Sequence, residues 1–302
     1  MRTAWISLAI VAGCYAPTVR ADVPCPDMRC PAHQLCVTTI DGSFCFPEDQ
    51  VPPDGDFDGD GVLDSQDDCP KVADPAQDNE DGDRFGDACD PCPIDPNDTP
   101  TDPDGDGVAD PCDPNPTTPG DAIVLFEGFH HGIPADWTKS GTWTASNDDA
   151  VVTSAVTDST AQLMPPDALT THETMSTRVT LVAEAPGGNR DLGIVDDYDP
   201  SSKLGVGCAP LLDASNAPRL NLLETNTGTE LATGALSFQL GDTIAIELDR
   251  NGQHYTCRAE PPSAGATTIA TDYTKDHVPS HALLRVYGAS AHFAWLLVVT
   301  SP

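Results

Sequence analysis

Residues 56–90 read DFDGDGVLDSQDDCPKVADPAQDNEDGDRFGDACD, and the reading of this stretch divides the chain. Its aspartates recur at an interval of 23: Asp58, Asp81 and Asp104; Asp60, Asp83 and Asp106; Asp64, Asp87 and Asp110; Asp67, Asp90 and Asp113. Cys69 maps onto Cys92, and Cys89 onto Cys112. A register kept at so many positions is an internal repeat, not a bias of composition. Residues 54–113 hold 21 acids against Lys71 and Arg84, a net −19 out of the chain's formal −34. Their large apolar side chains are Phe57, Val62, Leu63, Val72, Phe85, Ile94 and Val108. So few cannot offset the entropy of ordering sixty residues, so on composition alone the tract reads as a disordered acidic linker unless something else organises it.

The spacing inside each copy is chemical. Asp56, Asp58, Asp60, Gly61, Val62, Asp64 and Asp67 occupy positions 1, 3, 5, 6, 7, 9 and 12 of a loop. Those are the ligand positions of an EF-hand calcium loop, with the Val62 carbonyl at position 7 and Gly61 at the sharp turn. The second copy places Asn79, Asp81, Asp83, Phe85, Asp87 and Asp90 there, and the third Asp102, Asp104, Asp106, Val108, Asp110 and Asp113. Position 12 is Asp rather than the bidentate Glu, and the Pro-rich flanks cannot form paired helices. Flexible all-carboxylate loops suit calcium better than magnesium, with an affinity of ~0.1–1 mM per site.

These departures from the EF-hand resemble the thrombospondin type 3 repeats over residues 54–116, with Cys69-Pro70 and Asp74-Pro75-Ala76-Gln77 in the places of that family's CP and NPxQ elements. The resemblance implies several calcium ions, including further ions between loops. Asn79 at position 1 and Arg84 at position 6 make the second loop the weakest, because Arg84 is expected to take an unusual backbone and to bring positive charge beside the ion. Cys69–Cys89 and Cys92–Cys112 close two equal spacings, each worth about 3 kcal/mol through the unfolded chain.

Upstream, Met1-Arg2 and the apolar run Ala4–Ala12 read as an export signal over residues 1–21. The run is too short for a retained membrane helix. Two readings of its end stay open. Cleavage after Ala21 frees a soluble chain, whereas Val11-Ala12-Gly13-Cys14 resembles a bacterial lipobox with Cys14 as the lipidated residue, which implies an outer-membrane anchor. The remaining ten cysteines are even in number, as an oxidising destination requires. In residues 22–50 the run CPDMRCPAHQLCVTTIDGSFC resembles a small EGF-like or follistatin-like hairpin with a turn at Asp41-Gly42. That resemblance implies the pairs Cys25–Cys36 and Cys30–Cys45. The spacing lacks the paired CxxC units of a zinc site.

Downstream, the repeat tract is taken to run over 51–119 and a sheet domain over 120–302, where apolar residues return without helical periodicity. Strands are expected near 122–129, 150–156, 174–184, 191–196, 203–208, 219–225, 243–250, 253–260, 281–287 and 291–299. Ile244, Ile246 and Leu248 alternate with polar residues up to Asn251-Gly252, read as a two-residue turn that pairs Leu248 with Tyr255 and Ile246 with Cys257. Cys257 then faces inward, as does Cys208 beside Leu204 and Val206, which predicts Cys208–Cys257. Phe293–Val299 is apolar on both faces, as in a buried central strand. So many short strands indicate a β-sandwich. FEGFHHGIPADWTKSGTWTASNDDAVV, residues 126–152, resembles the opening of concanavalin A-like and laminin-G-like jelly rolls, through Gly132-Ile133-Pro134-Ala135-Asp136-Trp137 and Gly141-Thr142-Trp143. That resemblance implies that Trp137 and Trp143 pack in the core.

No catalytic set emerges. Glu247 and Asp249 are the nearest match to a glycosidase carboxylate strand, but a turn follows and no third carboxylate appears; they read as solvent-facing residues opposite Leu248. His130-His131 read as turn residues, and Asp196, Asp197 and Asp199 as an exposed acidic loop. There is no HExxH and no GxSxG. The net charge of −34 excludes a general nucleic-acid binder. The whole reads as a secreted or surface-held, calcium-binding, non-enzymatic protein of mainly β structure, its repeats a stiff spacer and its jelly roll serving adhesion or glycan recognition. A jelly-roll glycan hydrolase and a structural envelope protein are the rival readings.

Overall fold

The computed structural model describes Cys30 and residues 34–39, 42–47, 55–153, 160–166, 172–184, 188–274 and 281–302. The expected export signal, Cys14 and Cys25 lie outside them. Among the described residues there is no helix, and so none long and apolar enough to cross a membrane. The chain forms two compact units, residues 1–77 and 78–302.

In the first unit β1 (Gln34–Thr39) and β2 (Gly42–Pro47) form an antiparallel hairpin with Cys36 opposite Cys45. Gly42 is already paired, opposite Thr39. Cys30 is bonded to Cys45, and Cys36 is also disulfide-bonded. A short β3 (Gly55–Asp56) adds to the hairpin through Thr38 and Asp56, so position 1 of the first loop sits on a sheet edge.

The second unit is a two-sheet sandwich. Its strands are β4 (Ala122–Glu127), β5 (Thr138–Ser140), β6 (Trp143–Ser146), β7 (Asp149–Val152), β8 (Thr160–Met164), β9 (His172–Glu184), β10 (Arg190–Asp199) and β11 (Leu204–Leu212). They continue as β12 (Pro218–Glu224), β13 (Thr229–Ala235), β14 (Thr243–Asn251), β15 (His254–Glu260), β16 (Thr267–Asp272), β17 (Leu283–Tyr287), β18 (Ala289–Phe293) and β19 (Leu296–Thr300). One sheet has the order β13-β12-β11-β10-β17-β8-β5. The other runs β16-β15-β14-β9-β18-β7-β6, with β19 pairing to β9 and β4 to β19. The core between them collects alternate residues, such as Ile244, Ile246 and Leu248 against Leu192, Ile194 and Leu220. Trp137 and Trp143 belong to it, at 6 and 8 % exposure. Cys208 on β11 is bonded to Cys257 on β15, which ties the two sheets together through the core.

Three expectations are corrected. The hairpin pairs Leu248 with Cys257 and Arg250 with Tyr255, and its turn is Gly252-Gln253. Gly252 takes a φ of 61° while Asn251 and Gln253 do not enter that region, so one left-handed residue makes the turn instead of two. The slip is two residues, which preserves the side-chain alternation and keeps Cys257 inward. The single strand expected over 291–299 is two, β18 and β19, separated at Ala294-Trp295. Strands β5, β6, β8, β13 and β16 escaped the sequence reading. β13 (TELATGA) and β16 (TTIATD) carry little apolar alternation because each is the last strand of its sheet and one face stays in solvent.

β19 is apolar on both faces for a different reason from centrality. Leu296 and Val298 enter the core, while Leu297 and Val299 join Trp295 in a second cluster with Cys92, Val108, Ala109 and Cys112. The third repeat therefore packs on the outer surface of the sheet, through the apolar run Leu-Leu-Val-Val of β19.

Asp196 and Asp197 are 1 and 0 % exposed, so the exposed acidic loop is overturned for both. The core rows Ile246-Leu248-Arg250 and Met175-Glu173 end in charge. Arg250 Nη1 lies 3.3 Å from Glu173 Oε1, its Nη2 lies 3.4 Å from Asp197 Oδ1, and the Tyr255 hydroxyl donates to Asp197 Oδ2. Burial, with Glu173 beside it, pushes the Asp196 carboxyl well above the usual carboxylate range. A carboxyl raised in this way favours the folded state most below the ordinary carboxyl range, and that contribution is lost as pH rises through the raised value. Arg250→Met removes the buried cation from three carboxylates. Urea denaturation should show it to be destabilised by ~3–5 kcal/mol near neutral pH, and by less in mild acid.

Candidate calcium loops and surface clefts

Hydrogen bonding in the tract repeats with the sequence. The loop closes through the position-9 amide onto a carbonyl nine residues earlier: Asp64 to Gly55, Asp87 to Asp78 and Asp110 to Thr101, at 2.7–2.8 Å. The position-1 side chain accepts the position-4 amide, Gly59 onto Asp56, Gly82 onto Asn79 and Gly105 onto Asp102. The position-5 carboxylate accepts the position-7 amide, which fixes Val62, Phe85 and Val108. The position-12 carboxylates of Asp67, Asp90 and Asp113 accept the amides of Cys69, Cys92 and Asn115. Gly59, Gly82 and Gly105 have φ near 80°, a backbone that other residues rarely take.

Asp56, Asp60, Asp102 and Asp106 accept on both oxygens, whereas at Asp58, Asp67, Asp81, Asp83, Asp90 and Asp113 one oxygen is braced and the other is unused. Oδ2 of Asp58, Asp67, Asp81, Asp83, Asp90 and Asp113, Oδ1 of Asp110 and both oxygens of Asp104 are buried without a hydrogen-bond partner. Asp56, Asp58 and Asp60 bring oxygens within 4.8 Å of one another, as do Asp81, Asp83 and Asp90, and Asp102, Asp104 and Asp106. Crowded, unpaired hard oxygens are a donor set for calcium. Asp64, Asp87 and Asp110 lie outside these groups. Asp64 and Asp87 accept the amides of Phe57 and Glu80, and at the third copy, where Pro103 has no N–H, Asp110 accepts the Thr101 hydroxyl instead. Burial and neighbouring carboxylates push Asp87, Asp90 and Asp113 up to about 6.

One feature was not legible beforehand. Asp121, the residue before β4, joins Asp106 and Asp113 in a fourth close group; it is 2 % exposed and its Oδ2 is unpartnered. It lies beyond the last period of the repeat, so spacing gave no signal for it. Gln77 accounts for the turn after the first loop, donating Nε2 to Asp67 Oδ1 at 2.9 Å and accepting the Asp68 amide.

The expected strain at Arg84 is not found. In the other loops the position-1 Oδ2 accepts the position-6 amide, Gly61 onto Asp56 and Gly107 onto Asp102, and both glycines have φ near 100°. Asn79 has an NH2 group at that place, which cannot accept and donates instead to the Asp83 carbonyl. The Arg84 amide turns to Asp98, its φ is ordinary, and its guanidinium lies 4.4 Å over the Phe85 ring. The two substitutions in the second loop are thus one coupled change.

His130 and His131 lie in the turn after β4 and both meet the second repeat. His130 Nε2 is 3.3 Å from Glu80 and 3.6 Å from Asp87, and His131 Nε2 is 2.8 Å from Asp78. A Cβ on Gly128 would fall 2.9 Å from His130 Nε2, so that glycine makes the close approach available. Burial pushes Glu80 up to about 8.

Two polar clefts mark the sandwich. One, about 560 Å³, lies between the third repeat and the outer face of β14, where Asp113, Glu247 and Asp249 meet Thr174 and Thr256. Asp249 accepts the Thr174 hydroxyl at 3.0 Å, and burial raises the Glu247 carboxyl. The other, about 600 Å³, lies on the outer face of the seven-stranded sheet and includes Gln162, Asp191, Asn221, Glu230, Arg285 and Tyr287.

No family model matches the chain, and no curated protein matches it. Among solved structures it is similar to peanut lectin in complex with a nonapeptide, at 9 % identity over 60 % of this chain and 98 % of that one, with a TM-score of 0.49. It is similar to lectin II from Ulex europaeus at 10 % identity, over 60 % of this chain and all of that one, with a TM-score of 0.47. A carbohydrate-binding module, CBM66 from Bacillus subtilis, aligns at 15 % identity over 52 % of this chain and 91 % of that one, with a TM-score of 0.40.

Proposed function

We propose that the chain is an exported calcium-binding protein whose sandwich serves carbohydrate recognition or adhesion without catalysis. The observation that carries the calcium reading is the recurrence, loop after loop, of carboxylates braced through one oxygen with the other buried and unpaired. Asp56, Asp58, Asp60 and Asp67 would hold an ion in the first loop; Asn79, Asp81, Asp83 and Asp90 in the second; Asp102, Asp104, Asp106 and Asp113 in the third. Asp64, Asp87 and Asp110 brace the loops. When bound, calcium supplies charge neutralisation to a tract of net −19. Export follows from the reading of residues 1–21 and agrees with the disulfides. A structural role for the tract follows from its packing on Trp295, Leu297 and Val299.

The sandwich supports recognition more than turnover. The Glu247 and Asp249 pair sits on one face of β14 in a cleft, but Asp249 is held by Thr174 and the neighbouring titratable group is the Arg258 cation. Open polar clefts of several hundred cubic ångströms suit a hydroxyl-rich ligand.

Chelation of the oxidised protein should change the far-ultraviolet circular dichroism. It should also shift tryptophan emission to the red, because Trp295 is covered by the third repeat while Trp137 and Trp143 lie in the core. An unchanged spectrum would remove the calcium reading. Calcium needs the ionised carboxylates, and among the ligands Asp90 and Asp113 are pushed up to about 6. Calcium titration should therefore find full affinity at about pH 7.5 and a loss of affinity as pH falls through 6. Incubation with a glycan array in calcium, followed by a reducing-end assay on each hit, should show binding without release of product. Release would favour the hydrolase instead.

A further inference from the structure

We propose that the carbohydrate site is the trough on the outer face of the seven-stranded sheet, and that it takes an extended, uncharged stretch of polysaccharide lying across the strands. This rests on the carbohydrate reading and adds its place and class of ligand.

The floor follows from register. Asn221 on β12 is opposite Ala209 on β11, and on the other side of the sheet Gly193 on β10 is opposite Arg285 on β17, Arg285 is opposite Gln162 on β8, and Gln162 is opposite Ser140 on β5. Ala209 and Gly193 have the smallest side chains of this row, so it is low in the middle and polar at both ends. Gly193 cannot be enlarged, since a Cβ there would lie 2.0 Å from the Cys208 carbonyl oxygen. The row beside it runs Arg219, Leu211, Asp191, Tyr287 and Thr160. On the opposite flank lie Leu223, Gly207, Val195 and Leu283. The result is a polar channel crossing from β12 to β8, four inter-strand steps or about 19 Å, with the buried Leu211 and Leu223 beneath its flanks. Its length and polar ends suit a row of sugar rings presenting hydroxyls.

Asn221 points to the ligand's chemistry. It is 1 % exposed, lines the trough, and donates Nδ2 to Glu230 Oε1 at 3.2 Å. A carboxylate only accepts, so the amide orientation is fixed and Oδ1 is the unpaired acceptor. A ligand hydroxyl would satisfy it. The ionised groups are already matched in pairs, Asp191 with Arg285 and Glu230 with Arg219. Lys203 is the remaining charged residue of the lining. A trough whose lining carries two acids, Asp191 and Glu230, and two bases, Arg285 and Lys203, in a protein of net −34, selects against polyanions.

The test uses the calcium-loaded full chain against immobilised neutral polysaccharides (glucan, mannan, xylan, galactan) and acidic ones (polygalacturonate, alginate, chondroitin sulfate). At least one neutral polymer should bind, with little dependence on salt. Asn221→Ala and Ala209→Gln, the second filling the middle of the channel from a floor residue that is not part of the core between the sheets, should each weaken binding about tenfold or more. Thr256→Ala in the other cleft should leave it unchanged. Circular dichroism confirms that each variant folds. Neutral binding that survives both trough variants overturns the trough and leaves the carbohydrate reading standing. Binding confined to acidic polymers overturns the class of ligand, and silence across the panel overturns both proposals.

Discussion

Carboxylate crowding is the constraint on which the rest of this protein depends. Two carboxylates at 4 Å repel by about 1 kcal/mol in water and about 4 kcal/mol near a protein surface. The tract gathers such pairs three times over and has almost no apolar material to oppose them. Backbone amides meet part of the demand, with the position-4 and position-7 amides used alike in all three loops. At Asp58, Asp67, Asp81, Asp83, Asp90 and Asp113 the amide takes one oxygen and leaves the other buried and unpaired. The arrangement is therefore tightly braced and electrostatically incomplete, and the proposed calcium ions complete it.

The second loop shows how such a brace tolerates change. Losing the accepting oxygen at position 1 removes the reason for a glycine at position 6, so Asn79 and Arg84 are compatible with each other although each departs from its neighbours. The third loop absorbs Pro103 in the same manner, through the Thr101 hydroxyl. Local hydrogen-bond accounting explains these departures without invoking backbone strain.

The third repeat also belongs to the sandwich. Leu297 and Val299 turn outward from β19 and are covered by Val108, Ala109 and the Cys92–Cys112 disulfide. An apolar strip on a sheet surface would otherwise face water. Asp121 adds a polar tie at the same junction, joining the carboxylates of the third loop from the sandwich side. Packing and this tie together hold the third loop against the sheet.

The sequence by itself determined the repeat, its loop positions, the β class and the inward-facing Cys208 and Cys257, because spacing at 23 and alternation at 2 are local properties that survive an error of register. It misplaced the Gly252 turn by one residue and the pairing by two, without disturbing which face was buried. Tertiary structure alone decided the rest. Asp196 and Asp197 look like any acidic loop until Arg250 and Tyr255 arrive from another sheet. Edge strands β13 and β16 have no signature because their pairing partner, not their own composition, makes them strands. Asp121 and Asn221 acquire their meaning from neighbours distant in sequence or across a sheet. Interactions set by periodicity are written in the chain; those set by which surfaces meet depend on the folded arrangement, where burial gives an unpaired oxygen its energetic weight.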